Sequence, residues 1–430
     1  MHRILQTVAL IALAAGAARG QFEDYEQAPI RYSRTPARDA LTRMVDAEGN
    51  LAVPPGAETL DTVRALLARL AVPPESQVLV FSKTSLQRAR ISPATPRSLF
   101  FNDDVYVGWV PGGSLEVAAM DPDLGPVFHL VEIRGPGALH ARRDNECLSC
   151  HGGSRTGDIP GLMVRSVMTD PTGEAAPDQP SFLTTPSSPL AERWGGWYVT
   201  GVPEGAAHLG NQWIDAANPR AVAKPGAPAT LDAFFRTAAY PAPTSDILAL
   251  MVLEHQVEVH NRLTAAMIAV RKAGYRREAM LKELGHDIAA DPRGSYQSVL
   301  DAQVRSVTDA LFFRGEAPLP EGGIEGAPAF KAAFKANARR DAAGRSLKDF
   351  QLLDRLFKYR CSYLVYTPGF TRLPEPLRGR VLASMLQTLT GRDPENRQSH
   401  LGDAERRSIL EILVETLPDL PPEWRAAAAR

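Results

Sequence analysis

Cysteine is nearly missing: the 430 residues hold 3. A framework of disulfides, which small exported domains use to replace a core, needs more of them in even number and is excluded. Charge of one sign is missing too. The net charge is -1, so no general basic surface exists for nucleic acid or anionic lipid. Long apolar runs are confined to the beginning, where Ile4 to Ala15 is interrupted only by Gln6 and Thr7. That run is shorter than the ~20 residues of a membrane helix, and none like it follows. No internal repeat is present.

The apolar run follows His2 and Arg3 and precedes Ala15-Gly16-Ala17 and Ala18-Arg19-Gly20, the pattern of a secretory signal with a small-x-small cleavage site. Residues 1–20 are therefore expected to be a signal peptide, with the mature chain starting near Ala18 or Gln21 and lying outside the cytoplasm. No membrane span is expected after cleavage.

Two of the three cysteines stand in Cys147-Leu148-Ser149-Cys150-His151. C-x-x-C-H is the pattern that covalent attachment of a c-type haem requires: two sulfurs on one side of a helical turn, each able to form a thioether, and a histidine beside them for the iron. Chance occurrence at 3 Cys and 9 His in 430 residues amounts to about 4 in 10,000. A thioredoxin-type C-x-x-C needs a preceding strand in an α/β pattern, which is missing before Cys147. Structural zinc needs further ligands at short spacing, and no second pair exists. One covalent haem c is the expected cofactor, with Cys147 and Cys150 as attachment points and His151 as proximal ligand. Cys361, within Tyr359-Arg360-Cys361-Ser362, reads as a buried small hydrophobe.

Periodicity organises the rest. Thr59 is expected to cap a short helix with Leu60, Val63, Leu66, Leu67 and Leu70 on one face, before Pro73-Pro74. Strands are expected at Gln77 to Phe81, Val105 to Val110, Leu115 to Ala119 and Val127 to Ile133, a meander closed by Gly135-Pro136-Gly137. Asp103 and Asp104, beside Asn102, read as turn residues. Thr169 to Pro189, rich in Pro, Thr, Ser and Asp, reads as a surface loop, either covering a cofactor or idle. Helices are expected over Ser245 to Ala273, ending at Gly274, and over Ser295 to Phe313, Ala327 to Arg340, Leu347 to Lys358, Pro376 to Thr390 and Ala404 to Leu417. The fold class is α+β and mainly α: a small antiparallel β meander, a loop-rich haem segment and a large helical C-terminal half. The expected divisions are 1–20, 21–137, 138–215 and 216–430.

The sixth iron ligand is open. His208, in Ala206-Ala207-His208-Leu209-Gly210-Asn211, is the leading candidate; Met163, Met168, His129 and Met120 are the others. Arg165, Arg193, Trp194 and Trp197 are candidates to hold haem propionates or to pack the group. His255 and His260 lie beside Glu254 and Glu258, but Glu258 and His260 are two apart and point to different sides, unlike the Glu-x-x-His of di-metal bundles. They read as a polar helix face.

Several runs together resemble a family: Phe101-Asn102-Asp103-Asp104-Val105-Tyr106-Val107-Gly108-Trp109, Glu146-Cys147-Leu148-Ser149-Cys150-His151-Gly152-Gly153, Ile159-Pro160-Gly161, Arg165-Ser166-Val167, Glu192-Arg193-Trp194-Gly195-Gly196-Trp197-Tyr198-Val199-Thr200-Gly201 and His208-Leu209-Gly210-Asn211. The chain resembles exported, single-haem cytochrome c domain proteins of environmental bacteria, from the meander to Cys361-Ser362-Tyr363-Leu364. That resemblance implies haem binding and electron transfer and adds weight to His208, without naming a substrate. The leading expectation is a periplasmic electron carrier with an unidentified redox partner. The rival is a haem-dependent oxidoreductase, peroxidase- or oxidase-like, with an open distal site.

Overall fold

The computed structural model describes residues 24–430, apart from 57, 216–221, 224–227 and 285–294. The expected signal segment 1–20 and the expected division at 215/216 lie outside the described residues. The architecture is α+β, with the larger helices in the C-terminal half.

The strands are β1 (Asn50–Ala52), β2 (Val78–Val80), β3 (Arg97–Phe101), β4 (Val105–Trp109), β5 (Leu115–Asp121), β6 (Gly125–Gly135), β7 (Ala138–Arg143), a separate hairpin of β8 (Val164–Val167) and β9 (Ser181–Thr184), and β10 (Trp197–Tyr198). Eight of them form one antiparallel sheet in the order β1-β7-β6-β5-β4-β3-β2-β10. The expected meander is its centre, and the sheet is larger. Gly135-Pro136-Gly137 does not close it but turns the chain into β7, past the expected division at 137/138.

Alternation along each strand gives the sheet two apolar faces. On one, Val105, Val107 and Trp109 pack with Leu79, Phe100 and Val117 against Val63, Leu66 and Leu67 of the helix Thr59–Arg69. Its cap is Glu58, not Thr59; the Asp61 carboxylate accepts from the Glu58 N–H at 3.1 Å. On the other face, Val78, Val80, Phe101, Tyr106, Ala118 and Phe128 pack against the long helix Ile247–Leu284 and the helices beyond it. The long helix starts where Asp246 Oδ1 accepts from the N–H groups of Leu248 and Ala249, both at 3.2 Å. It is buried on all sides over its first turns, as expected of a helix inserted between a sheet and other helices.

Three expectations about the helices need correction. The long helix runs through Gly274 to Leu284, because no Pro or left-handed residue stops it there. Ala327 to Arg340 shortens to Pro328–Lys335. Leu347 to Lys358 is not a helix: Leu352 sits at φ 65°, and Gln351 Oε1 accepts from the N–H groups of Leu353, Asp354 and Arg355, which folds the segment into a turn bridging Phe350 to Phe357. The helices Ser295–Leu311, Glu375–Leu389 and Asp403–Thr416 fall where expected, and Pro422–Ala428 is an additional one. Asn102 Oδ1 accepts from the N–H groups of Asp104 and Val105 at 2.9 and 2.8 Å, the expected turn chemistry. Asp103 is bound by Lys348 Nζ at 2.7 Å. Cys361 is fully buried, and burial pushes its thiol up. Among the described residues no helix is long and apolar enough to cross a membrane.

Candidate haem-binding cleft

Strand β7 carries the chain straight into the motif. At its end Asp144 Oδ1 accepts from the Glu146 N–H at 3.1 Å and starts a tight turn, Asn145–Cys147, that continues as the one-turn helix Leu148–His151. Leu148 is the buried anchor of this helix, and the three-residue spacing brings Cys147 and Cys150 to one side. Gly152 is required next, since a Cβ there would collide with the Tyr25 hydroxyl and stand 3.0 Å from the Leu148 carbonyl oxygen.

His151 is held by its other nitrogen. Nδ1 donates to the Gly161 carbonyl at 2.9 Å, which fixes the tautomer and leaves the Nε2 lone pair for a ligand. Burial also holds the ring below its ordinary pKa, so it is neutral and able to coordinate. The loop that provides Gly161 is itself fixed: Thr156 Oγ1 donates to Ile159 O at 2.7 Å, and Asn261 of the long helix clamps Leu162 through both its N–H and its carbonyl, each at 2.8 Å.

Cys147, Cys150 and His151 line one cleft between the sheet and the long helix. Its walls are Leu99, Tyr106, Gly108, Ala118 and Phe128 from the sheet, Leu162 from the loop and Val164 at the start of β8, and Leu253 and Val257, one turn apart, from the helix. Its atom-free space, open mouth included, is ≈ 1260 Å³, but the centre of a water molecule fits over only ≈ 180 Å³ of it. The cleft is a thin slot. Burial, with Asp144 and Glu116 nearby, pushes the Cys147 thiol up to about 12, whereas Cys150 is exposed at the mouth.

Two charged features face the slot. Glu116 is ion-paired with Arg97; burial alone would raise its pKa, but Arg97 and hydrogen bonds from Ser85 and Gln87 outweigh burial and lower it. Arg155 and Arg165 line the slot together, close enough that burial and mutual repulsion lower the Arg165 pKa. Trp197 lines it too, its Nε1 donating to the Arg165 carbonyl at 2.7 Å.

The other expected residues lie apart. Arg193 and Trp194 do not line the slot; they meet at Glu254 of the long helix, with Arg193 Nη1 donating at 2.6 Å and Trp194 Nε1 at 2.8 Å. The remaining Arg193 donors go to the carbonyls of Pro186 and Ser188 at 2.7–3.0 Å, so this guanidinium is committed. Trp194 is fully buried at φ 70°, and Gly196 follows because a Cβ there would stand 2.6 Å from Ser82 Cβ. His208 packs tilted against Trp194, ring centroids 5.8 Å apart, and its Nδ1 accepts from the Gly210 N–H at 3.0 Å. It does not line the slot, and neither do Met168 and Met120; Met163 and His129 do. His129 Nε2 is paired with Asp39 at 3.2 Å.

The chain matches no family model, no curated protein and no solved structure. The site stands on its own geometry.

That geometry fits a covalent haem c. Two sulfurs and an oriented, neutral imidazole converge on one narrow, largely apolar slot, with two arginines available for carboxylates. Sequence reasoning missed Arg97, Arg155 and Glu116, and also Leu253 and Val257. Only the helical spacing of the last two carried a signal. His255 bonds Glu316 and Ser362, both at 2.9 Å, while His260 Nδ1 bonds the Tyr106 hydroxyl at 2.8 Å. Among the described residues no group of three or more His, Cys, Asp or Glu is arranged for a metal ion.

Proposed function

We propose that this protein is an exported c-type cytochrome, carrying one haem on Cys147 and Cys150 with His151 as axial ligand, and passing single electrons to a partner. The observation that carries the reading is the convergence of both thiols and His151 on one slot, with Nδ1 bound to Gly161. The basic and apolar N-terminal segment supports export, where haem c is attached.

Bound there, haem supplies an Fe(II)/Fe(III) couple. The chain does the rest. His151, oriented by Gly161 and neutral, offers Nε2 without a competing proton, and the Asn261 clamp keeps its loop from drifting. Leu99, Phe128, Leu253 and Val257 would pack against the bound group and limit its contact with water, an environment that disfavours added charge. Arg155 and Arg165, which line the slot, would supply the positive charge for the group's carboxylates. Met163 and His129, the methionine and the second histidine that line the slot, replace His208 as nearest candidates for the sixth position.

The rival reading, catalysis at an open iron, would draw on Arg97 and Glu116, the charged pair on the sheet side of the slot. The electron-transfer reading is favoured because Glu116 is already bound by Ser85, Gln87 and Arg97 and is not free to exchange protons.

Alkaline pyridine spectroscopy of the matured, exported protein tests the proposal. A c-type haemochrome is expected, and it should vanish in Cys147→Ala/Cys150→Ala. A colourless protein that binds zinc through the same cysteines would overturn it. Retention of a low-spin spectrum in His208→Ala, with loss in Met163→Ala or His129→Ala, would identify the sixth ligand.

A further inference from the structure

On the opposite side of the long helix lies a second, roomier space. Atom-free volume there is ≈ 2200 Å³ with its mouth, and ≈ 910 Å³ of it accepts the centre of a water molecule, within the range of small-molecule sites. Met251, His255, Glu258 and Arg262, spaced by four, three and four, are the helix's contribution. The other walls come from the segments around 185–193, 306–319, 354–360 and 397–400. The loop before Pro189 thus borders this basin, through Thr185, Pro186 and Ser187, rather than the slot.

The hydrogen-bond inventory of the basin is lopsided. Its carboxylates are engaged. Asp309 accepts from Arg314 Nη1 at 3.2 Å, from Gln398 Nε2 at 2.7 Å and from Arg397. Glu258 accepts from Arg262 Nε at 2.7 Å, and Glu316 pairs with His255 Nδ1 at 2.9 Å. Of the guanidinium groups, Arg193, Arg360 and Arg397 are engaged as well, but Arg262, Arg314 and Arg355 keep donors to spare. Each has five N–H donors in a fixed fork, and Arg262 and Arg314 each direct one nitrogen at a basin carboxylate. Arg355 donates from Nη1 to Asp354, while its buried Nε has no hydrogen-bond partner among the described residues. Unspent capacity is therefore mostly donor. Leu190, Met251, Leu319 and Leu356 add apolar wall between the arginines.

We propose that this basin binds a small organic anion, its carboxylate or phosphate groups received by Arg262, Arg314 and Arg355 and its body lying against the apolar wall. A buried guanidinium nitrogen without a partner is costly to keep, and an oxyanion satisfies it. The proposal does not depend on haem, since the slot and the basin lie on opposite faces of the helix.

Isothermal titration of the matured protein with citrate and with inorganic phosphate, at fixed ionic strength against chloride, tests this. Saturable one-to-one binding is expected for at least one of them, tighter citrate pointing to carboxylates and tighter phosphate to phosphoryl groups. Arg262→Gln/Arg314→Gln changes two partly exposed side chains and leaves the fold intact by circular dichroism. It should weaken binding by about tenfold or more. Failure of both anions to saturate, heats no different from chloride, or equal affinity in the folded variant would each overturn the proposal.

Discussion

The long helix has two unlike sides. Toward the sheet it presents Leu253 and Val257 to a thin, apolar slot; away from the sheet it presents Met251, His255, Glu258 and Arg262 to a wide, polar basin. A thin apolar space suits a flat group held by covalent bonds, because it offers few polar contacts to orient a mobile ligand. A wide polar one suits a ligand that comes and goes. Between them stands Glu254, buried and bonded to Arg193 and Trp194, which ties the helix to the loop preceding β10. The difference lies in side chains, since one continuous backbone serves both.

The largest effect should come from the slot. Cys147→Ala/Cys150→Ala is expected to abolish covalent colour entirely while leaving anion binding in the basin unchanged, measured by absorbance and titration on the same sample. Loss of both would break the separation of the two sides.

Next comes the tie. Burial raises the Glu254 pKa despite Arg193, yet removing the carboxylate leaves a buried guanidinium without its counter-charge. Glu254→Ala should cost about 3–5 kcal/mol in denaturant unfolding. A cost under about 1 kcal/mol would show that Arg193 finds another partner and that the tie is dispensable.

A pH series separates the histidines. Burial, with His255 close by, holds His260 down to about 3, against an ordinary value near 6.5. Between those limits the unfolded chain takes up a proton that the fold refuses, so stability is fully present above pH 6.5 and declines as pH falls toward 3. Between pH 6.5 and 4.5 the loss from this residue is about 2–3 kcal/mol. His260→Phe should flatten the decline, whatever it does to stability at pH 7. An unchanged slope would exclude His260 as its source.

The smallest effect is at the clamp. Asn261→Ala leaves the Leu162 N–H and carbonyl without their partner and should cost about 1–3 kcal/mol. It should also broaden the haem spectrum, because the Gly161 loop is freed, and have no effect on the basin.

How much of this was legible depended on distance along the chain. Period-two runs at 105–110 and 115–119 announced their strands, and the C-x-x-C-H spacing announced a side shared by two sulfurs. β7 escaped because only Leu139 and Ala141 of its residues point inward, too weak an alternation to register. Leu347 to Lys358 imitated a helix by its apolar spacing, and a single Gln351 side chain capping three N–H groups decided otherwise. Arg165 and Trp197 were found by proximity to the motif. Arg193 and Trp194 had equal proximity and went to Glu254, whose position beside them depends on a helix 60 residues downstream. His208 lies beside Trp194, away from the slot, and its placement was hidden from the sequence for the same reason.

The Asn261 clamp also has a bearing on assembly. The motif and the residue that locks its loop are about a hundred positions apart, so a chain emerging N-terminus first exposes both thiols long before the lock exists. If the proposed cofactor is attached there, attachment would have a window set by synthesis itself, in which the slot still lacks its far wall. That wall, Leu253 and Val257, comes only with residues 247–284, and so does Asn261.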